Sequence, residues 1–256
     1  MLKKEYEAMF NVEDRHWWHV GMHRIFLTML RKYLSENALK QQSLKILDAG
    51  CGTGKMMEHL SKYGEPVGVD CSEWALAYCQ KRGIQNVHNG SILNLPFPDR
   101  KFDVVTCFDV LYHLNVQNDD KALSELFRVC KDGGLVLINV PAFEFLKSEH
   151  DIAVQTRRRY TKAELKELVE KAGFKIKRII YLNFFIFPIA FLIRVLERLP
   201  FRSFSEKSKL NLRNSIVNSL LKKVLYSEQV LLKVFNFPFG LSVFCIAGKE
   251  GDCTRS

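Results

Sequence analysis

An α/β fold built on a mostly parallel sheet is the architecture that this 256-residue chain predicts. Short apolar runs alternate with helix-periodic stretches along most of its length. The run Lys45-Ile46-Leu47 leads directly into a loop with glycines at 50, 52 and 54. The next apolar run, Val67-Gly68-Val69, closes on an acid, Asp70. Strand, glycine loop, helix, strand and acid describe a pocket for an adenosine-bearing cofactor. Glycines let the backbone turn sharply and approach a ligand. The helix expected from Lys55 to Tyr63 points free N–H groups at the same place. Asp70, about twenty residues on, stands where a carboxylate accepts ribose hydroxyls.

Each element follows in order. Residues 5–42 read as helical, with Asn11 or Asp14 as start signals and an apolar face of Ile25, Leu27, Met29, Leu30, Tyr33 and Leu34. Residues 1–43 thus form an N-terminal helical lid. A Rossmann-like core spans 44–183 and 241–249. Its strands are expected near 45–49, 66–70, 86–89, 102–108, 134–140, 175–182 and 241–247, and its helices near 54–63, 73–82, 118–130 and 161–172. Thr161-x-x-Glu164 is a capping box, and Gly173 closes the helix that it opens. About 57 residues separate the last two strands, far more than a hairpin loop takes. Residues 184–240 are therefore a helical insertion.

The glycine loop excludes two common ligands. A phosphate-cradling loop needs Gly-x-x-x-x-Gly-Lys-Ser/Thr, but Met56 follows Lys55 and Ala49 replaces the first glycine. A dinucleotide loop needs a third glycine where Lys55 stands. What remains is acid-x-Gly-x-Gly-x-Gly, from Asp48 to Gly54. It resembles motif I of the class I S-adenosylmethionine-dependent methyltransferases. The resemblance continues in order through Val67–Asp70, Asn89–Ile92 with Leu95-Pro96-Phe97, Phe102–His113 and Leu126–Ile138, covering about residues 44–140. It implies a seven-stranded sheet whose last two strands form a reversed hairpin. It also implies S-adenosylmethionine as cofactor, held by Asp48, Gly50, Gly52, Gly54, Asp70, Cys71, Ser91, Ile92, Phe108 and Asp109. Many members carry an acid where this chain has Ser91, so a hydroxyl or backbone group would hold the adenine amino group. That cofactor has no phosphate, and Lys55 is expected to face solvent.

His16-Trp17-Trp18-His19, His150-Asp151 and Arg157-Arg158-Arg159-Tyr160-Thr161 resemble a type 11-like methyltransferase subgroup. By that resemblance Trp18 closes over the cofactor, Arg24 pairs with its carboxylate, and His150 or Tyr160 faces the acceptor. The plainer alternative is a structural lid of packed aromatics beside a solvated arginine run. His113, after the fourth strand, is either a general base or a wall of the pocket.

Composition narrows the partners. Hydrophobic residues make up 47% and charged residues 26%, as in an ordinary folded domain. Seven cysteines without a C-x-x-C or Cys/His cluster point to reduced core thiols and no structural zinc. The first residues lack a signal-peptide core, so a cytoplasmic protein is expected. Net charge is +10, and residues 184–240 hold nine Lys/Arg against three acids, which places most of the excess there. Residues 181–193 are uncharged, too few to span a bilayer. The insertion, with a second helix near 209–235, is expected either to dock peripherally on anionic membrane or to cap the pocket. Nucleic acid fits less well, because these basic residues alternate with bulky aliphatics. The expected acceptor is a small molecule, amphiphilic or lipid-linked. The alternatives are a soluble metabolite or sugar, or a protein that binds the cofactor without catalysis.

Overall fold

The structure is a computed structural model and describes residues 3–36, 43–197 and 215–251. The ends of the expected helices at 37–42 and 209–214 lie outside the described residues. Seven strands form one sheet in the order β3-β2-β1-β4-β5-β7-β6. They are β1 (Leu44–Ala49), β2 (Gly64–Asp70), β3 (Val87–Asn89), β4 (Phe102–Phe108), β5 (Cys130–Pro141), β6 (Lys175–Leu182) and β7 (Ser242–Gly248). The first five run parallel, and β7 lies antiparallel to both β5 and β6. Chain order reverses between β1 and β4, so the loops leaving their carboxyl ends diverge and open a crevice.

Helices cover both faces, which is why the strands read as unbroken apolar runs. Leu47, Val105 and Val136 face Leu123 and Leu126 of α5 (Asp119–Val129) and Leu165 and Val169 of α7 (Lys162–Lys171). Their sequence neighbours Ile46, Val104 and Leu135 face Ile25 and Met29 of α2 (Trp17–Glu36) and Met56 and Leu60 of α3 (Lys55–Leu60). Asn118 caps α5 by accepting the Lys121 N–H at 2.9 Å. The Thr161–Glu164 capping box forms as the spacing predicts, and Gly173 ends that helix at φ +100°.

The N-terminal stretch is not one helix. It divides into α1 (Lys3–Val12) and α2, because Glu13 turns inward to bond Thr53 and breaks the run. The insertion leaves β6 at Leu182 and returns to β7 at Ser242, two residues that pair with each other at the carboxyl edge. Between them stand α8 (Phe187–Glu197) and α9 (Ser215–Leu231). Helix α9 lies against α2 at a site where Gly21 has no side chain. A Cβ there would come within 2.2 Å of Leu225 Cδ1.

Candidate active site

The crevice between β1 and β4 gathers the glycine loop and the acids. Gly50, Gly52 and Gly54 all have positive φ, at +86°, +54° and +82°, a backbone that other residues rarely adopt. Gly50 also admits Val110 from the loop after β4, since a Cβ there would meet Val110 Cγ2 at 2.1 Å. Asp70, at the end of β2, ties the loop down. Its Oδ2 accepts the Gly52 N–H at 3.0 Å and its Oδ1 accepts the Ser72 N–H at 2.9 Å. Cys71 is exposed beside it, with the Asn115 amide 3.7 Å from its sulfur.

Asp48 lies under the loop, 2% exposed, and its Oδ1 accepts the Thr106 hydroxyl at 2.7 Å. Burial pushes its carboxyl up to about 6. Asp109 is the second such acid. Its left-handed backbone (φ +59°) turns it out of β4, and Asn139 Nδ2 donates to its Oδ1 at 2.9 Å. Asp109 is open to solvent yet ringed by protein, which raises its carboxyl to about 6. A wet group in such desolvating surroundings marks the floor of a concavity. Asn139 Oδ1 is buried without a donor. Two carboxyls and this unpartnered carbonyl oxygen suit a cationic ligand group.

Helix α1 roofs the loop. The Met9 methyl is 3.4 Å from where a Gly52 Cβ would sit, and buried Tyr6 faces Asp70 and bonds Ser72. Glu13, 3% exposed, accepts the Thr53 hydroxyl at 2.6 and 2.8 Å and pairs with Arg82, whose guanidinium also stacks on Phe10. Lys55 does not simply face solvent: it bridges Asp14 at 2.6 Å and Glu58 at 3.0 Å. A latch of α1 onto the cofactor loop was not legible in sequence, because Glu13 meets partners 40 and 69 residues away.

The rim holds the histidines. Nδ1 of His113 accepts the Asn115 N–H at 3.1 Å, so its other nitrogen carries the proton while the ring is neutral. Burial lowers its pKa to about 4. That bond occupies one of the two ring nitrogens that a base would offer. His150 stands on α6 (Glu149–Ala153), exposed, near Glu5 of α1 and Arg194 of α8, and burial of its surroundings holds it neutral. Ser91 Oγ accepts the Leu93 N–H at 3.2 Å, leaving its own proton to donate, and Ile92 is packed beneath in the core.

Four expected site residues are placed differently. Tyr160 is fully buried, and its hydroxyl donates to the Leu111 carbonyl and Asp119 at 3.1 Å each, so it braces the loop after β4 instead of facing an acceptor. The Arg157-Arg158-Arg159 run is tied down too, Arg159 to buried Asp151 at 2.8 Å and Arg157 to Asp119. Phe108 stacks on Phe26 of α2 at 4.2 Å, where aromatic packing employs it. Arg24 stacks on Tyr226 of α9 at 4.0 Å, which engages the guanidinium expected to hold a carboxylate. Trp18 is half-buried against the α2-side core, edge-on to Trp17 at 5.5 Å.

A sheet reversed only at its last hairpin, a glycine loop at the switch point and acids ending β1 and β2 make up the arrangement that the resemblance to class I S-adenosylmethionine-dependent methyltransferases implies. Residues 47–138 match the family described as "Methyltransferase domain". A protein of Mycolicibacterium smegmatis named "Probable S-adenosylmethionine-dependent methyltransferase" is 32% identical over 136 residues, covering 52% of each chain. The ubiquinone/menaquinone biosynthesis C-methyltransferase of Shewanella pealeana is 30% identical over 144 residues, covering 52% of this chain and 53% of that protein. The chain thus spans about half the length of the curated relatives that it matches. A solved S-adenosylmethionine-dependent methyltransferase of Thermotoga maritima shares the fold over 96% of both chains, with TM-score 0.57 and 21% identity.

Proposed function

We propose that the protein transfers a methyl group from S-adenosylmethionine to a small acceptor with an apolar portion, lipid-linked in the fullest case. The observation that carries the reading is the crevice itself: a positive-φ glycine loop tied to Asp70, with Asp48, Asp109 and the unpartnered Asn139 Oδ1 gathered beside it. The two raised acids and Asn139 suit the cofactor ammonium, and Asp70 suits the ribose. Ser91 and the backbone after β3 suit the adenine amino group. Bound there, the cofactor supplies an activated methyl on a sulfonium whose leaving group is a neutral thioether.

The chain's own residues then position the acceptor and handle its proton. His113 walls the pocket, its Nδ1 held by the Asn115 N–H. His150, neutral on the rim, is the group placed to accept a proton from a hydroxyl or amine. Helix α1, latched through Glu13 and Thr53, excludes water from the loop. The apolar part of the acceptor is suggested by exposed Phe145 and Phe191, whose rings meet 5.9 Å apart beside the His150 helix.

The test incubates methyl-labelled cofactor with fractionated host extract, keeping lipid and aqueous phases apart. Label in the lipid phase supports the full reading. Label only in a water-soluble product leaves a methyltransferase with a soluble metabolite as acceptor. Cofactor binding without turnover on any fraction overturns catalysis. Affinity for S-adenosylmethionine should also rise as pH climbs through about 6, because Asp48 and Asp109 must ionise to meet the ammonium. Asp48→Asn should flatten that rise in a calorimetric titration.

A further inference from the structure

One connection between parallel strands is built differently from its neighbours. Helices α3, α4 (Glu73–Lys81) and α5 join the strands before and after it, but residues 90–101, between β3 and β4, form no helix. Leu95 and Phe97 of that crossing enter the core on the face shared with α5. A cavity of about 280 Å³ opens beside them, at the starts of β1, β2, β3 and β4. It lies away from the cofactor crevice, which is at the opposite ends of the same strands. Lys45, on its rim, precedes Asp48 by three residues of β1, about 10 Å of strand, and Glu65 precedes Asp70 by five on β2.

The wall of this cavity is aromatic and its rim is cationic. Phe102 is fully buried behind it, and the His88 ring stands edge-on to Phe97 at 5.4 Å. Lys45 and Lys101 both line the rim, and neither ammonium is paired with a carboxylate among the described residues. Asp103, the acid nearest to Lys101 in sequence after Asp99, is already occupied. Its Oδ2 accepts the Lys45 backbone N–H at 2.9 Å, and its Oδ1 accepts the Lys131 ammonium at 2.7 Å. Lys101 lies instead over the rings of Phe97 and Phe102, 4.6 and 5.4 Å from their centroids, which holds its charge against the aromatic wall. Glu65 is opposite Lys45 in the β1–β2 register, one acid against two ammonium groups. The lining therefore keeps an excess of positive charge. Unpaired ammonium groups above an aromatic wall suit an anion with a flat apolar body. An inorganic anion would leave the wall unused, and a cation would be repelled. The volume falls just below the roughly 300–1,000 Å³ usual for drug-sized ligands, which limits the body to one or two fused rings.

We infer that the cavity at the amino edge of the sheet is a second binding site, separate from the crevice, for a small aromatic acid. The ring lies against Phe102 and His88, and the acid group is held between Lys45 and Lys101. No part of this site belongs to the methyl-transfer machinery, so the inference does not rest on the function proposed above.

Calorimetry of the full chain near neutral pH, with naphthalene probes of one shape and different charge, tests the inference. Naphthalene-2-carboxylate should bind at least about tenfold more tightly than naphthalene-2-methanol, and naphthalen-2-ylmethylamine should give no heat. Lys45→Gln and Lys101→Gln should each weaken the carboxylate about threefold, and the two together about tenfold. His88→Trp, which fills the cavity from its exposed rim, should abolish binding. All three side chains reach solvent, so an unchanged thermal midpoint verifies folding. No heat with the carboxylate overturns the inference, as does equal affinity for the alcohol. Wild-type affinity in the double lysine variant overturns it too, because the probe then binds elsewhere. Displacement of the carboxylate by S-adenosylmethionine has the same force, since it gives the probe to the crevice.

Discussion

Helices α8 and α9 come from one insertion and are both rich in large apolar residues, yet they live in different environments. Helix α9 buries Leu225, Glu228 and Gln229 against the body of the protein, and Leu232 just beyond it packs there too. Its Gln229 donates to Thr28 of α2 at 2.6 Å, and Gly21 admits Leu225. Helix α8 buries nothing. Apolar content therefore says that a helix needs a partner but not where the partner is. For α9 it is α2, whereas none of the residues of α8 is buried against the described chain.

Truncating the same residue type on the two helices separates these cases most sharply. Leu225→Ala should cost about 2–5 kcal/mol in denaturant unfolding, the usual penalty for a buried leucine. A cost under about 1 kcal/mol would show that α9 is held no better than α8. Asn218→Ala removes two bonds between α9 and the α1–α2 corner and should cost roughly 1–2 kcal/mol.

Glu228 gives a signature in pH. Its buried carboxylate accepts the Asn183 N–H at the root of α8, and burial raises its pKa. A raised folded pKa means that the native state keeps a proton the unfolded chain has released, so this group costs stability as pH rises above its unfolded value. Glu228→Gln cannot lose that proton. Thermal midpoints measured from about pH 4 to pH 7 should shift steadily in the variant's favour. A constant gap would mean that Glu228 is not buried as described. The smallest effect belongs to α8: Leu192→Ala should change stability by less than about 0.5 kcal/mol. A larger loss would reveal a partner within the chain.

The cofactor half of the site was more legible than the acceptor half. Glycines at 50, 52 and 54 and acids at 48 and 70 are near one another in sequence, so spacing alone relates them. Tyr160 and Arg24 were misplaced because a motif says which residues recur, not which way a side chain points. Tyr160 is drawn inward by the Leu111 carbonyl and Asp119, and Arg24 outward onto Tyr226. The latch of Glu13 on Thr53 and Arg82 left no periodic trace, since its members come from three separate segments.

The reversed final hairpin followed from the family resemblance; sequence by itself determined the alternation of strands and helices and the glycine turn with its two acids. Those features are local: they depend on periodicity, on φ values that only glycine readily takes, and on residues a few positions apart. Tertiary structure alone decided that α1 locks down over the loop, that His113 Nδ1 is taken up by the Asn115 N–H, and that one inserted helix buries residues against the body while none of its neighbour's is buried. Each of those outcomes depends on which distant surfaces meet, and contact between distant segments is set by the packing of the whole chain.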